Sequence, residues 1–173
     1  MGLIKVKHCI PYYPTPMNVV DKMIEVASLK PGDKLIDLGS GDARIPIRAA
    51  QIYDDIKCHG VEINPVLVSS SMKKIKKLNL EGRVNIFRGD LFKIDLSRFN
   101  VITLYLTPEA LSILSRKLTA RKLALETRII SHNYPIQDFH PDICEKISVN
   151  GKIHRLYVYT LKKNLEMIPS CSK

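Results

Sequence analysis

The stretch Lys34-Leu35-Ile36-Asp37-Leu38-Gly39-Ser40-Gly41-Asp42-Ala43-Arg44 decides the fold of this chain. Leu35, Ile36 and Leu38 form the apolar run of a strand covered on both faces. Gly39 and Gly41 permit backbone angles closed to other residues and let a ligand approach the main chain. Asp42 stands where a helix N-cap is expected, and Ile45, Ile47, Ala49 and Ala50 supply apolar helical positions after it. Strand, glycine loop and helix in that order is the layout of a nucleotide site.

Two ligand classes compete for such a loop. A dinucleotide fold wants Gly-x-Gly-x-x-Gly, with phosphate on the helix N-terminus. Here the third glycine position is Arg44, and Asp37 at the strand end would repel a pyrophosphate. The same carboxylate suits a cation, such as the amino group in the methionine part of S-adenosylmethionine. Both departures favour S-adenosylmethionine over NAD.

Moving downstream, Cys58-His59-Gly60-Val61-Glu62-Ile63 reads as a second strand ending in an acid. Glu62 lies about 25 residues beyond Asp37, near the spacing at which a carboxylate reaches a ribose. Asn64-Pro65 opens a helix running to about Leu78, with Val68, Met72, Ile75 and Leu78 expected on its apolar face. Lys73, Lys74, Lys76 and Lys77 fill the rest, either a solvated face or a nucleic-acid patch. Arg83 to Phe92 holds a third strand and its exit. Asp90 there can accept from an adenine amine, with Leu91 and Phe92 against the ring.

Asn100 to Pro108 is the fourth strand and its mouth. In a doubly wound sheet the ligand sits at the carboxyl ends of the strands, so Tyr105 and Leu106 should face the transferred methyl. Amino-group nucleic-acid methyltransferases place Asp/Asn-Pro-Pro-aromatic here to hold a flipped base, and this chain lacks it. A helix follows from Pro108 to Leu118, with Leu111, Leu114 and Leu118 inward and Ala120 to Glu126 continuing it. Thr127 to Asn133 is a fifth strand, in which His132 is either structural or a general base. Ile143–Val149 and Arg155–Leu161 form a hairpin through Asn150-Gly151. The tail from Lys162 is expected to fray.

Upstream of the glycine loop, Ile10-Pro11-Tyr12-Tyr13-Pro14-Thr15-Pro16 leads into a helix, with Thr15 as N-cap and Pro16 first in the helix. Val19, Val20, Met23, Ile24 and Ala27 form its apolar side. Tyr13 and Thr15 either fold over the ligand as a lid or simply lead into that helix. Leu29 to Asp33 is a turn of type II character.

The chain has 173 residues, 45% hydrophobic and 25% charged, which suits one globular domain covering 1–173. No apolar run approaches the roughly 18 residues of a membrane span, and Lys5 and Lys7 precede no leader-like apolar region. Cys9, Cys58, Cys144 and Cys171 are scattered, so reduced thiols in a cytoplasm are expected and no metal site. The net charge of +10 attracts nucleic acid or acidic proteins without choosing between them. A basic surface is also common among small archaeal proteins.

Asp37-Leu38-Gly39-Ser40-Gly41-Asp42, Gly60-Val61-Glu62-Ile63-Asn64 and Gly89-Asp90-Leu91-Phe92 resemble successive motifs of class I S-adenosylmethionine-dependent methyltransferases. With Pro11 to Pro16, Asp42-Ala43-Arg44-Ile45, Leu104–Pro108 and Ser131-His132-Asn133-Tyr134, the chain is similar to archaeal broad-specificity protein lysine methyltransferases and to mitochondrial ones. The resemblance implies a Rossmann-like, seven-stranded, mostly parallel α/β sheet with an antiparallel C-terminal hairpin. It implies S-adenosylmethionine as donor and exposed lysines of proteins as acceptors; separately, a monomer is expected. It brings Tyr13, Thr15 and Arg44 to the cofactor, beside Asp37, Gly39, Ser40 and Gly41. Glu62, Ile63, Gly89, Asp90 and Leu91 complete the expected cofactor contacts. Tyr105, with Tyr13 or Tyr134, would line the lysine channel. The family usually carries Gly where Ala43 stands, and often a Trp after the fifth strand, where this chain has Phe139.

Overall fold

The computed structural model describes residues 12–120, 123 and 126–161. The expected basic lead before Pro11, the thiols of Cys9 and Cys171, most of the continuation after Ala120 and the tail from Lys162 lie outside these residues. Seven strands, β1 (Lys34–Leu38), β2 (Lys57–Glu62), β3 (Val84–Arg88), β4 (Val101–Leu104), β5 (Arg128–His132), β6 (Ile143–Val149) and β7 (Lys152–Thr160), form one sheet in the order β3-β2-β1-β4-β5-β7-β6. β1 to β5 run parallel, and β7 joins antiparallel to β5 with β6 outside it. The order reverses between β1 and β4, which opens a crevice at their carboxyl ends.

Helices α1 (Met17–Ala27), α2 (Arg44–Ile52) and α3 (Pro65–Lys77) cover one face, and α4 (Pro108–Ala120) covers the other. All the expected apolar positions of α1, α2 and α4 are buried. α3 departs from expectation: Val68 and Ile75 are buried, but Met72 is 55% exposed and Leu78 is exposed too. Ser71 takes the inward place because α3 leans against the glycine loop, where its hydroxyl donates to the Gly41 carbonyl at 3.2 Å.

Two caps also differ. Pro16, not Thr15, caps α1, and the Thr15 hydroxyl instead meets His132 across the sheet end. Ala43, not Asp42, caps α2, with φ 60 in the left-handed region. There the family's glycine would sit without strain. Asn64 caps α3 through Val66 N as expected, with Pro65 at the first helical position.

The pole away from the crevice is pinned by an ion pair the sequence did not announce. Arg128 donates to the buried Asp33 carboxylate at 2.5 Å and to the Ala27 and Ser28 carbonyls. The last turn of α1, the turn before β1 and the start of β5 therefore meet on one guanidinium.

Candidate active site

A cavity of about 460 Å³ opens at the carboxyl ends of β1 to β4. Every residue expected to touch the cofactor lines it, and so does Tyr105. Tyr134 does not: it is exposed beyond β5, its carbonyl accepting from the Ser131 hydroxyl. Among the described residues no group of three or more His, Cys, Asp or Glu side chains could hold a metal ion.

The glycine loop is held by β2 and by α3. Gly39 N and Ser40 N donate to the Val61 carbonyl, fixing the loop on β2. Glu62 accepts from Gly41 N at 2.9 Å with one oxygen and from Asn64 N at 2.8 Å with the other. Each oxygen keeps lone-pair capacity for a further donor. Gly60 makes this closeness possible: a Cβ there would lie 2.6 Å from Ser40 Cβ and Oγ and from Ile86 Cδ1. The Ser40 hydroxyl is buried and has no partner among the described residues.

Arg44 explains the Asp-x-Arg spacing. Its guanidinium grips both Asp42 oxygens at 2.8 Å and donates from its third nitrogen to the Thr15 carbonyl at 2.7 Å. Burial would raise Asp42, but Arg44, helped by Lys74, holds it below the usual carboxylate range. Arg44 thereby ties the N-terminal lead to the loop instead of offering a free cation. Tyr12, absent from the sequence-based set, lies over Gly41, where a Cβ would come 2.4 Å from its ring. Tyr13 stands at the rim, 67% exposed.

Asp37 is buried under the loop and accepts from the Thr103 hydroxyl at 2.8 Å. Burial, with the Asp42 and Glu62 charges adding to it, pushes its carboxyl up to about 7. A buried carboxylate without a cation is costly, and a ligand ammonium would relieve that cost. Thr103 was missed because a threonine inside a buried strand looks like a packing residue. Asp90 accepts from Phe92 N at 3.0 Å, capping a short 3-10 turn at Leu91–Lys93, so one of its oxygens is committed to the backbone.

Tyr105 and His132 form the floor beside β4 and β5. Their rings lie 4.1 Å apart between centroids, tilted by 41°. His132 is fully buried, with Nδ1 3.2 Å from Thr15 Oγ1 and Nε2 2.9 Å from His154 Nδ1. Burial, with His154 nearby, lowers it to about 4. Both of its nitrogens are engaged, so the general-base role considered for it does not fit this arrangement. Asn133 follows in the left-handed region, donates to the Tyr105 hydroxyl at 3.3 Å and accepts from Arg155 N.

An acid-lined crevice at the switch point of a seven-stranded sheet, with a glycine loop and no third glycine, narrows the choice of family. The model of the ANTKMT methyltransferase domain matches residues 37–143. The chain belongs to that methyltransferase family. A protein-lysine N-methyltransferase of Saccharolobus islandicus is 35% identical over 152 residues, which cover 88% of this chain and 94% of that protein. A human lysine N-methyltransferase named for the ATP synthase is 29% identical over 136 residues, 79% of this chain but 57% of the human protein. Among solved structures, an RNA methyltransferase from Salinibacter ruber, in complex with S-adenosyl-L-homocysteine, superposes with a TM-score of 0.79 at 36% identity, over 88% of this chain and 96% of that one. The methyltransferase cavity here fits such a ligand: three carboxylates, a glycine loop and an apolar mouth face one space.

Proposed function

We propose that this chain, acting as one domain and as a monomer, transfers methyl groups from S-adenosylmethionine to lysine side chains of a broad range of proteins. The observation that carries the reading is the meeting of Asp37, Glu62 and Asp90 with the apolar mouth at Tyr105 and Leu106 in one cavity. The family membership and the archaeal relative named for that activity support it. An archaeal source and a cytoplasmic place belong to the same reading. Among the described residues no helix is long and apolar enough to cross a membrane.

S-adenosylmethionine supplies an electrophilic methyl on a sulfonium when bound. The residues of the chain do the rest. Asp37 takes the ammonium of the methionyl part. Glu62 holds the loop at Gly41 N with one oxygen and the start of α3 at Asn64 N with the other, and offers its remaining lone pairs to the ribose hydroxyls. The Asp90 oxygen not used by Phe92 accepts from the adenine amine, with Leu91 against the ring. A lysine amine, with a pKa of about 10.4 in water, loses its proton more readily beside the Tyr105 ring and the buried Leu106. Alignment in that channel supplies much of the rate.

A second reading, methylation of RNA, is favoured by the name of the Salinibacter neighbour and by the exposed lysines 73, 74, 76 and 77 on α3. The residues after β4, Tyr105 to Pro108, offer no side-chain amide or carboxylate for a flipped base. Labelled S-adenosylmethionine in a cell extract separates the two. The lysine reading expects macromolecular label that protease removes and nuclease leaves. Label lost to nuclease alone would overturn it.

A further inference from the structure

Thr15, His132 and His154 form a hydrogen-bonded relay from the cavity towards the surface. Thr15 lines the cavity, His132 is fully buried and His154 is half-buried on β7. Cofactor binding and the desolvated lysine channel leave the two histidines without a task. It has only two self-consistent senses. If the His154 Nδ1 lone pair accepts from His132 Nε2–H, then His132 Nδ1 is an acceptor and the Thr15 hydroxyl must donate to it. In that sense Thr15 presents only lone pairs to the cavity. If His154 instead donates from Nδ1, His132 carries its proton on Nδ1 and donates to Thr15. The Thr15 proton then turns into the cavity.

The two senses are opposite for an amine nucleophile. An acceptor at Thr15 takes an amine N–H and leaves the nitrogen lone pair free for attack. A donor at Thr15 binds that lone pair and blocks it. We propose that His154 is a positioning residue that, through His132, holds Thr15 as a hydrogen-bond acceptor for the substrate amine beside Tyr105. This rests on the lysine-methyltransferase reading and adds to it the device that aims the nucleophile. The stacking of Tyr105 on His132 places the channel floor and the relay on one ring.

The charged and titratable groups around the relay come from α1, α2, β6, β7 and the turn after β4. Arg44 donates to the Thr15 carbonyl, and Tyr105 lies on the His132 face. Lys152 and Arg155 flank His154 on β7, and Lys146 pairs with Arg155 from β6. α1 brings Asp21, held by Arg48, and Lys22, which bridges to Glu145 of β6. No carboxylate partner of either histidine ring is found among the described residues.

The test is a pair of opposite substitutions at His154, each purified and checked for its melting temperature and its affinity for S-adenosylhomocysteine. His154→Glu keeps an acceptor facing His132 Nε2. It should retain turnover on a protein substrate within about threefold. His154→Lys offers only donors. It should lower kcat by at least about tenfold, roughly 1.4 kcal/mol of transition-state stabilisation, with ligand affinity unchanged. Thr15→Val, which removes the acceptor, should lose the activity. Equal losses in the Glu and Lys variants, or full activity of the Lys variant, would overturn the proposal. Wild-type enzyme that labels no protein at all would instead overturn the reading on which it rests.

Discussion

Asp37 gives the sharpest handle on the cavity. Its carboxyl is pushed up to about 7 by burial, and only its ionised form can pair with a ligand ammonium. Ligand affinity should therefore fall as pH drops through 7. The ionised fraction is about 0.76 at pH 7.5 and about 0.03 at pH 5.5, a ratio of about 25-fold or roughly 1.9 kcal/mol. An α-amino group titrates at about 7.7–8.0, so the ligand stays largely cationic across this range. Calorimetric titration of S-adenosylhomocysteine at the two pH values reads the effect directly. Asp37→Asn should bind weakly and show no such slope, since the amide cannot ionise. Equal affinity of the wild-type protein at pH 5.5 and 7.5, or the same slope in the Asn variant, would refute the reasoning.

The same residue has a stability signature of opposite sign. A folded pKa raised above its unfolded value contributes stability that is complete below about pH 4 and is lost as pH rises through 7. Asp37→Asn should thus raise the melting temperature of the ligand-free protein at pH 8, leave it nearly unchanged at pH 4, and weaken stabilisation by ligand; thermal scans at both pH values check this. Gly60→Ala should cost about 1–3 kcal/mol by overpacking, because Ser40 Cβ lies 2.6 Å from the new methyl and belongs to a loop fixed at both ends. A fall of several degrees in Tm with weakened ligand binding is expected, and an unchanged Tm would contradict it. Arg128→Ala takes the cation from the buried Asp33 carboxylate, which keeps its bonds from Asn100 Nδ2 and Lys30 N, and should cost up to about 3 kcal/mol in denaturant titration, with ligand affinity at the far pole unchanged when binding is measured below the transition. Tyr105→Ala should lower turnover on protein substrates while leaving ligand affinity within about threefold; full turnover would remove Tyr105 from the channel.

The fold was legible where one periodicity dominated. Leu35 to Leu38, Asn64-Pro65 and Asn150-Gly151 each state an element in local chemistry, and a parallel sheet with an antiparallel edge follows from strands and helices that alternate before a closing hairpin. The acids at the ends of β1, β2 and β3 were legible because strand ends at a switch point share one crevice. Contacts far apart in sequence were not. Thr15 reads locally as a cap, yet its hydroxyl is taken by His132, 117 residues away. Asp42 reads as a cap for the same reason, yet Arg44 claims both its oxygens. Met72 and Leu78 fit a helical stripe, but α3 rests on the glycine loop through Ser71, and that tilt leaves both outside. Tyr12 had no local signal: only the bare Gly41 backbone beneath its ring gives it a place.

Peptide mass spectrometry asks the central question most plainly. A protein mixture is incubated with the purified chain and S-adenosylmethionine carrying a heavy methyl, then digested and sequenced. The account predicts heavy methyl on lysine side chains of several proteins, suppressed in Asp37→Asn. Heavy methyl confined to RNA nucleosides in a parallel digest, with lysines unmodified, would contradict it.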